Sequence, residues 1–295
     1  CYGRVRSTIA TTKRQLSRHQ DLRRAMLEDP DLAEGQLAPI PVFLNAGTHG
    51  YDYAGVDAAM HLIETLAHDQ GPEAMSILDD VVFLVNVVHN PDGRVMGTSR
   101  NRAGFDLARD LMTQSQPETR AAVAALAAWN PIVAIDLRGL GSPMQIQPAL
   151  LPGGARHDYD LFTKWALQGA QAMRDQIRAQ TGLSAQVPLR DAAAGQGDWP
   201  PISLASYAQY HGAYGFTLDA PYRDQRGVDA LYAAVWGALE FVAENREVMV
   251  RDQIELFRRG LLSVPQVAIP DQVLEQPPYG HHPDWTRLGQ PAAYI

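Results

Sequence analysis

The chain has 295 residues, of which 46% are hydrophobic and 20% are charged. This composition is ordinary for a globular protein of one large domain or two small ones, and it argues against long disorder. The 25 lysines and arginines against 33 aspartates and glutamates give a formal net charge of −8. That balance argues against nucleic acid as a partner, because phosphate contacts need clustered positive charge.

The single cysteine, Cys1, excludes an internal disulfide. The longest apolar run without charge, residues 121–135, contains Asn130 and Pro131 and is shorter than the ~20 residues of a membrane-spanning helix. We therefore predict no membrane span. The chain has no recognisable signal segment and starts in the middle of a pattern, so we expect an incomplete N-terminus.

Helical periodicity and short continuous apolar runs alternate along the chain. In chain order they predict a helix at 11–34, a strand at 40–45, a helix at 56–68, a strand at 81–88, a helix at 118–129, a strand at 132–137, helices at 159–181 and 203–211, a strand at 214–220 and a helix at 227–262 with a break at 244–246. This alternation predicts one α/β domain over residues 1–262, with a mostly parallel sheet and helices on both faces. A proline-rich extended segment is predicted at 263–295.

In such sheets a site forms beyond the carboxyl ends of the strands. The first loop at that edge contains His49 and Asp52. A histidine and a carboxylate three residues apart can turn toward one metal ion. Alternatively, His49 lies in a turn and Asp52 caps the helix that begins near Gly55. The spacing alone favours this second interpretation, since it often arises by chance.

The later loops carry a series of motifs, namely Asn90-Pro-Asp-Gly93, Gly104-Phe-Asp-Leu-Ala-Arg109, Gln116-Pro-Glu-Thr-Arg120 and Ile135-Asp-Leu137. Their order resembles that of the M14 zinc carboxypeptidases, most closely the secreted bacterial branch, over roughly residues 38–262. The resemblance implies a central mixed, mostly parallel eight-stranded sheet flanked by helices, and a secreted or cell-envelope location. For ordinary members it also implies one zinc held by His, Glu and His, a Glu general base, a carbonyl-polarising Arg, and an Asn-Arg pair that holds the substrate's C-terminal carboxylate.

The chain departs from this pattern at most of the zinc and catalytic positions. His49 is retained, but the ligand Glu is replaced by Asp52. The carboxylate of Asp is one methylene, or ~1.5 Å, further back than that of Glu, and zinc–oxygen bond lengths tolerate far less than that. The second ligand His is replaced by Arg138, and the catalytic Glu by Asp219. Arginine has no acceptor atom and keeps its proton, so it cannot bind zinc.

The substrate-binding positions are altered as well. Ala108 replaces the Asn of the Asn-Arg pair and only Arg109 remains. At the position of the carbonyl-polarising Arg the chain has Ser99, with Arg100 beside it and Arg102 nearby. Tyr210 and Tyr207 are the nearest candidates for the family's phenol.

No zinc is therefore expected, because two ligands do not make a catalytic site. The alternative is that His89, His157 or His211 replaces the missing histidine ligand and restores a zinc site. At the position of the family's zinc ion we predict an internal ion network in which Asp52 and Asp219 face Arg138. Protonated His49 would balance the remaining negative charge. If the loops have relaxed instead, Arg138 points to solvent.

Three functions remain open. The first is a pseudopeptidase used for binding or regulation, whose ligand is a peptide or a small carboxylate and whose protein partner the sequence does not identify. The second is a repurposed enzyme without zinc, in which Asp219 or His49 acts as acid or base and Arg109, Arg100 and Tyr210 bind substrate. The third is a divergent but active metallocarboxypeptidase that releases C-terminal residues.

Overall fold

The computed structural model describes residues 9–29, 39–69, 71–139, 143–149, 160–161, 164–188 and 203–262. The helices are α1 (Ile9–Glu28), α2 (Tyr53–His68), α3 (Pro72–Asp80), α4 (Pro91–Met96), α5 (Pro117–Trp129), α6 (Lys164–Thr181), α7 (Leu204–Ala208) and α8 (Gln225–Leu261). The strands are β1 (Ile40–Ala46), β2 (Val81–Asn86), β3 (Val133–Arg138), β4 (Gln145–Pro148) and β5 (Tyr214–Asp219), and short 3-10 helices cover Leu107–Arg109 and Gln209–His211.

The strands form one mixed sheet in the order β2-β1-β3-β5-β4, in which only β4 is antiparallel to its neighbour. Strands β1, β3 and β5 are buried on both faces, as their continuous apolar runs predict. Because these strands are parallel, the residues after Ala46, Arg138 and Asp219 all emerge at one edge of the sheet. That edge is where a site is expected.

Helices pack on both faces of the sheet. On one face the core includes Leu44, Leu62, Phe216 and Leu239, from β1, α2, β5 and α8. On the other face, Phe43 and Ala134 pack against Leu126 of α5 and Leu204 of α7. The predicted α/β class, with a mixed and mostly parallel sheet flanked by helices, is therefore confirmed.

Several predicted elements differ from the structure. The described residues contain five strands, so the eight expected from the family resemblance are not confirmed. Helix α3 and strand β4 were not predicted, and neither was the short helix α4, which begins within the motif Asn90-Pro-Asp-Gly93. The predicted break at 244–246 is wrong, because α8 continues through it.

Packing explains why α8 is continuous. Asn245 donates to the Phe241 carbonyl one turn earlier, and Arg246 forms an ion pair with Asp80 at the end of α3. The proline-rich segment 263–295 lies outside the described residues, as do residues 159 and 162–163 near the start of the helix predicted for 159–181. No described helix is long and apolar enough to cross a membrane.

Candidate functional site

The loop after β1 is held against the Asn90 turn by very close backbone packing. A Cβ on Gly50 would lie 1.8 Å from the Gly93 carbonyl oxygen, so only glycine fits there. The buried Asn90 side chain accepts from the Gly93 N–H and donates to the carbonyls of Thr48 and Ser99. The Asn-Pro-Asp-Gly motif therefore fixes the backbone on both sides of His49.

Asp52 immediately precedes α2, but its side chain does not cap that helix. It is fully buried, and its two oxygens accept from the N–H groups of His49 and Gly139, each at 3.0 Å. This carboxylate thus joins the loop after β1 to the end of β3. The sequence-based cap position was correct, whereas the direction of the side chain was not.

The ring of His49 is buried and lies between two carboxylates. Its Nε2 lies 3.2 Å from Asp106 Oδ1, and because a carboxylate can only accept, Nε2 carries the proton. Its Nδ1 lies 3.7 Å from Asp52 Oδ2, which is beyond hydrogen-bond distance. Among the described residues, Nδ1 is a buried atom without a hydrogen-bond partner.

Arg138 ends β3 and forms an ion pair with Asp136 of the same strand. The distance from Nε to Asp136 Oδ2 is 2.6 Å, and the two side chains are 12% and 0% exposed. The other oxygen of Asp136 accepts from Asn45 at 2.8 Å and from Thr48 at 3.2 Å. A buried carboxylate with three donors is fully satisfied, and it anchors Arg138 at the edge of the sheet.

This arrangement corrects the predicted network. Asp52 and Asp219 do not make the direct ion pair with Arg138; among the described residues that pair is with Asp136. Asp219 is the neighbour of Arg138 in the register of β3 and β5, and it accepts from Gln147 at 2.8 Å. Arg138 is not directed only at solvent either, since it is mostly buried.

The pKa directions follow from these contacts. Burial raises the pKa of Asp52 despite its backbone hydrogen bonds, whereas the hydrogen bond from His49 lowers the pKa of Asp106. Burial works to lower the pKa of Arg138, but Asp136 outweighs it, followed by Asp52 and Asp219, so the net shift is upward. Arg138 is therefore a permanent cation at this edge.

Arg109 and Arg100 lie near the same edge. Arg109 Nε is 3.5 Å from Asp106 Oδ2, and 64% of the Arg109 side chain is exposed. Arg100 is exposed and donates to the Gly104 carbonyl. The contacts from Arg109 through Asp106, His49 and Asp52 reach the end of β3, so three of the predicted residues, Arg109, His49 and Asp52, lie in one chain of contacts.

The segment that carries Arg109 is fixed by the next residue. Asp110 is 4% exposed, and its carboxylate accepts four hydrogen bonds from residues 113–116. Burial alone would raise the pKa of Asp110, but these hydrogen bonds outweigh it and lower the pKa. Asp110 thereby stabilises the loop from which Arg109 projects.

Tyr210 is not near these residues. It lies on the 3-10 helix that precedes β5, at the opposite end of the sheet from Arg138 and Asp219, and it is half exposed. Tyr207 and His211 pack against each other at that end. The sequence order placed Tyr210 in the substrate-binding set, but the direction of β5 carries it away.

The remaining histidines do not complete a metal site in the part of the chain that the structure describes. His89 is buried and bonds Asn45, and His157 lies outside the described residues. Among the described residues, no three His, Cys, Asp or Glu side chains are arranged to hold a metal ion. The unpaired Nδ1 of His49 would suit a cation, but Asp52 already accepts two N–H groups and Arg138 adds a positive charge. Among the described residues, the family-type ligand positions that keep a donor are His49 and Asp52, whereas a catalytic zinc needs three protein ligands.

Sequence reasoning missed two site residues, Asp106 and Asp136. Both stand inside the quoted motifs, so a signal was present. Asp136 precedes Arg138 by two positions, and in a strand such residues point to the same face. The contact of Asp106 with His49 joins residues 57 positions apart and required the fold.

Comparison with known proteins shows a likeness to one family over part of the chain. The family model for zinc carboxypeptidases, Peptidase_M14, matches residues 18–110. Over these residues the chain is similar to the M14 zinc carboxypeptidases. A search of curated protein sequences gives no significant match.

Solved structures support the fold. A metallo-carboxypeptidase from Burkholderia cenocepacia is 21% identical with a TM-score of 0.54, and the match covers 72% of this chain and 58% of that one. A metallo-carboxypeptidase from Pseudomonas aeruginosa is 16% identical with a TM-score of 0.57, covering 82% and 70%. The carboxypeptidase A of Helicoverpa armigera is 17% identical with a TM-score of 0.52, covering 72% and 61%.

At these low sequence identities, the structural matches support the fold and no further property of the chain. The chain spans 58% of the Burkholderia structure that it matches, so it corresponds to only part of that protein. M14 members normally use zinc, whereas the residues at the equivalent edge here are His49, Asp52 and Arg138.

Proposed function

We propose that this carboxypeptidase-like chain is a pseudopeptidase, which binds a peptide or a small carboxylate in its cleft without zinc and without cleaving it. The observation that carries the proposal is the buried ion pair between Arg138 and Asp136. It holds a permanent cation where the family resemblance calls for a zinc-binding histidine. A divalent ion would have to approach that charge with only His49 and Asp52 as family-type ligands.

Ligand binding is supported by two exposed arginines that lie next to Asp106, the carboxylate in contact with His49. Arg109 is largely exposed, and Arg100 is exposed as well. Guanidinium groups bind carboxylates well, in one or two hydrogen bonds. The related Pseudomonas aeruginosa structure contains (2-guanidinoethylmercapto)succinic acid. A carboxylate-bearing ligand is therefore the class that we assign to this cleft.

Metal content and peptidase activity test the first half of the proposal. We expect the purified protein to contain far less than one zinc per chain by elemental analysis. We also expect it to release no C-terminal residues from peptides that are blocked at the N-terminus and free at the C-terminus. About one zinc per chain, removed by a chelator together with peptidase activity, would overturn it.

Matched peptides test the second half. A peptide with a free C-terminus should raise the melting temperature, whereas the same peptide with an amidated C-terminus should not. Substituting Arg109→Gln should remove the effect, and Arg120→Gln on the exposed start of α5 is the control. Equal shifts for both peptides would contradict a carboxylate-binding cleft.

A divergent metallocarboxypeptidase is the second candidate. One observation favours it, namely the buried and unpaired Nδ1 of His49, which faces Asp52. The zinc measurement above separates the two functions, because only the second requires a bound ion.

A further inference from the structure

A cavity of about 460 Å³ lies between α5 and strands β1 and β2. We call it the α5 cavity. Its apolar lining includes Phe43, Leu84, Val88, Ala122, Ala125 and Trp129. Three polar residues complete it: Asn86, His89 and Glu118. This volume and this composition, apolar with a few polar groups, are typical of sites for small ligands.

The hydrogen bonds of Asn45 fix the tautomer of His89. The Asn45 amide nitrogen donates to Thr48 Oγ1 and to Asp136 Oδ1, so the amide oxygen must face the other way. That oxygen lies 2.9 Å from His89 Nδ1. Because the oxygen can only accept, Nδ1 carries the proton, and Nε2 of the neutral ring is an acceptor.

The Nε2 acceptor has no hydrogen-bond partner among the described residues, although His89 is only 3% exposed. Burial lowers the pKa of His89, which keeps the ring neutral near pH 7. An unpaired acceptor in a buried side chain is uncommon in folded proteins and calls for an explanation.

Glu118, on the first turn of α5, supplies a second unpaired acceptor. Its Oε1 accepts from Asn101 at 3.3 Å, whereas its Oε2 is buried and unpartnered within the described part of the chain. His89 and Glu118 both line the cavity, and each has an acceptor atom without a donor among the described residues, one of them on a carboxylate. A ligand that satisfies both must bring hydrogen-bond donors, and the carboxylate favours a positive charge.

We propose that the α5 cavity binds a small organic amine with an aromatic or aliphatic body, whose ammonium group donates to His89 Nε2 and Glu118 Oε2. The body packs against Phe43, Val88 and Trp129. This site uses other residues than the carboxylate cleft and does not depend on the proposed function.

The experiment compares phenethylamine with ethylbenzene, which has the same apolar body without the amine, by titration calorimetry and NMR. Phenethylamine should bind at least about tenfold more tightly, the scale of one hydrogen bond to a charged group. Only phenethylamine should shift the ¹⁵N signal of His89 Nε2.

Two variants locate the site. Glu118→Gln keeps an oxygen for Asn101 but removes the charge, and it should weaken phenethylamine binding about tenfold. Ala125→Phe fills the cavity from a partly buried position and should abolish binding. Glu73→Gln, an exposed position on α3, is the control and should leave affinity unchanged. Circular dichroism shows which variants are folded.

Three results would overturn the proposal: no binding of phenethylamine, equal affinities for the two probes, or unchanged affinity in the folded Glu118→Gln or Ala125→Phe variant. Equal affinities would indicate an apolar cavity whose acceptors are satisfied by water only.

Discussion

Removing the Arg138 side chain is the most direct test of the altered site. In Arg138→Met the apolar stem is kept and the guanidinium is lost, so Asp136 remains fully buried without the donor to its Oδ2. Breaking one partner of a buried ion pair typically costs ~3–5 kcal/mol. Here Asn45 and Thr48 still donate to the other oxygen, so we expect a loss of about 2–4 kcal/mol in the free energy of unfolding.

The assay is urea-induced unfolding followed by circular dichroism at neutral pH. The control is Arg226→Met, because Arg226 also forms an ion pair, with Asp224 at 2.7 Å, but both side chains are more than half exposed. Solvent screens such a pair, so no measurable change is expected. Equal effects at the two arginines would refute the argument from burial.

A double-mutant cycle identifies the partner of Arg138. Asp136→Asn combined with Arg138→Met should recover part of the stability lost in Arg138→Met alone, because the buried negative charge is gone. Asp219→Asn should recover less, since Asp219 accepts from Gln147 rather than pairing with Arg138. Stronger coupling with Asp219 than with Asp136 would restore the network predicted from the sequence.

The four predicted strands agree with the structure within two residues, because buried parallel strands leave continuous apolar runs. Strand β4 has only four residues, Gln145–Pro148, and no such run. Helix α3 begins at Pro72, directly after Gly71, and is nine residues long, which is short for a periodicity argument. Short elements were therefore missed although the architecture was correctly predicted.

The candidate site, too, could be predicted from the sequence only in part. His49, Asp52, Arg138 and Asp219 could be assigned to one edge because parallel strands end together. The hydrogen-bond partners of these side chains could not be predicted from the sequence, since the contact of Asp52 with Gly139 joins residues 87 positions apart. The Arg138–Asp136 pair was within reach, because residues two apart on a strand share a face.

The remaining predictions concern substrate anchoring, metal affinity and acid stability. Ala108→Asn should tighten binding of peptides with a free C-terminus by ~1 kcal/mol in calorimetry, the contribution of one added hydrogen bond, and an unchanged affinity would count against a carboxylate pocket. Asp52→Glu with Arg138→His should recover measurable zinc binding in equilibrium dialysis, whereas a double variant without zinc would show that the altered ligands are not what excludes the metal. Finally, Asp110→Asn should lower the free energy of unfolding at pH 7 by about 1–3 kcal/mol, because its buried hydrogen bonds to residues 113–116 are weakened. The folded pKa of Asp110 is below its unfolded value, so this stability is fully present above the unfolded pKa of about 4 and is lost as the pH falls toward the folded pKa. Urea unfolding between pH 7 and pH 2.5 should therefore show the two proteins converging only below about pH 4. A difference that stayed constant over this range would mean that the ionised carboxylate of Asp110 does not stabilise the loop.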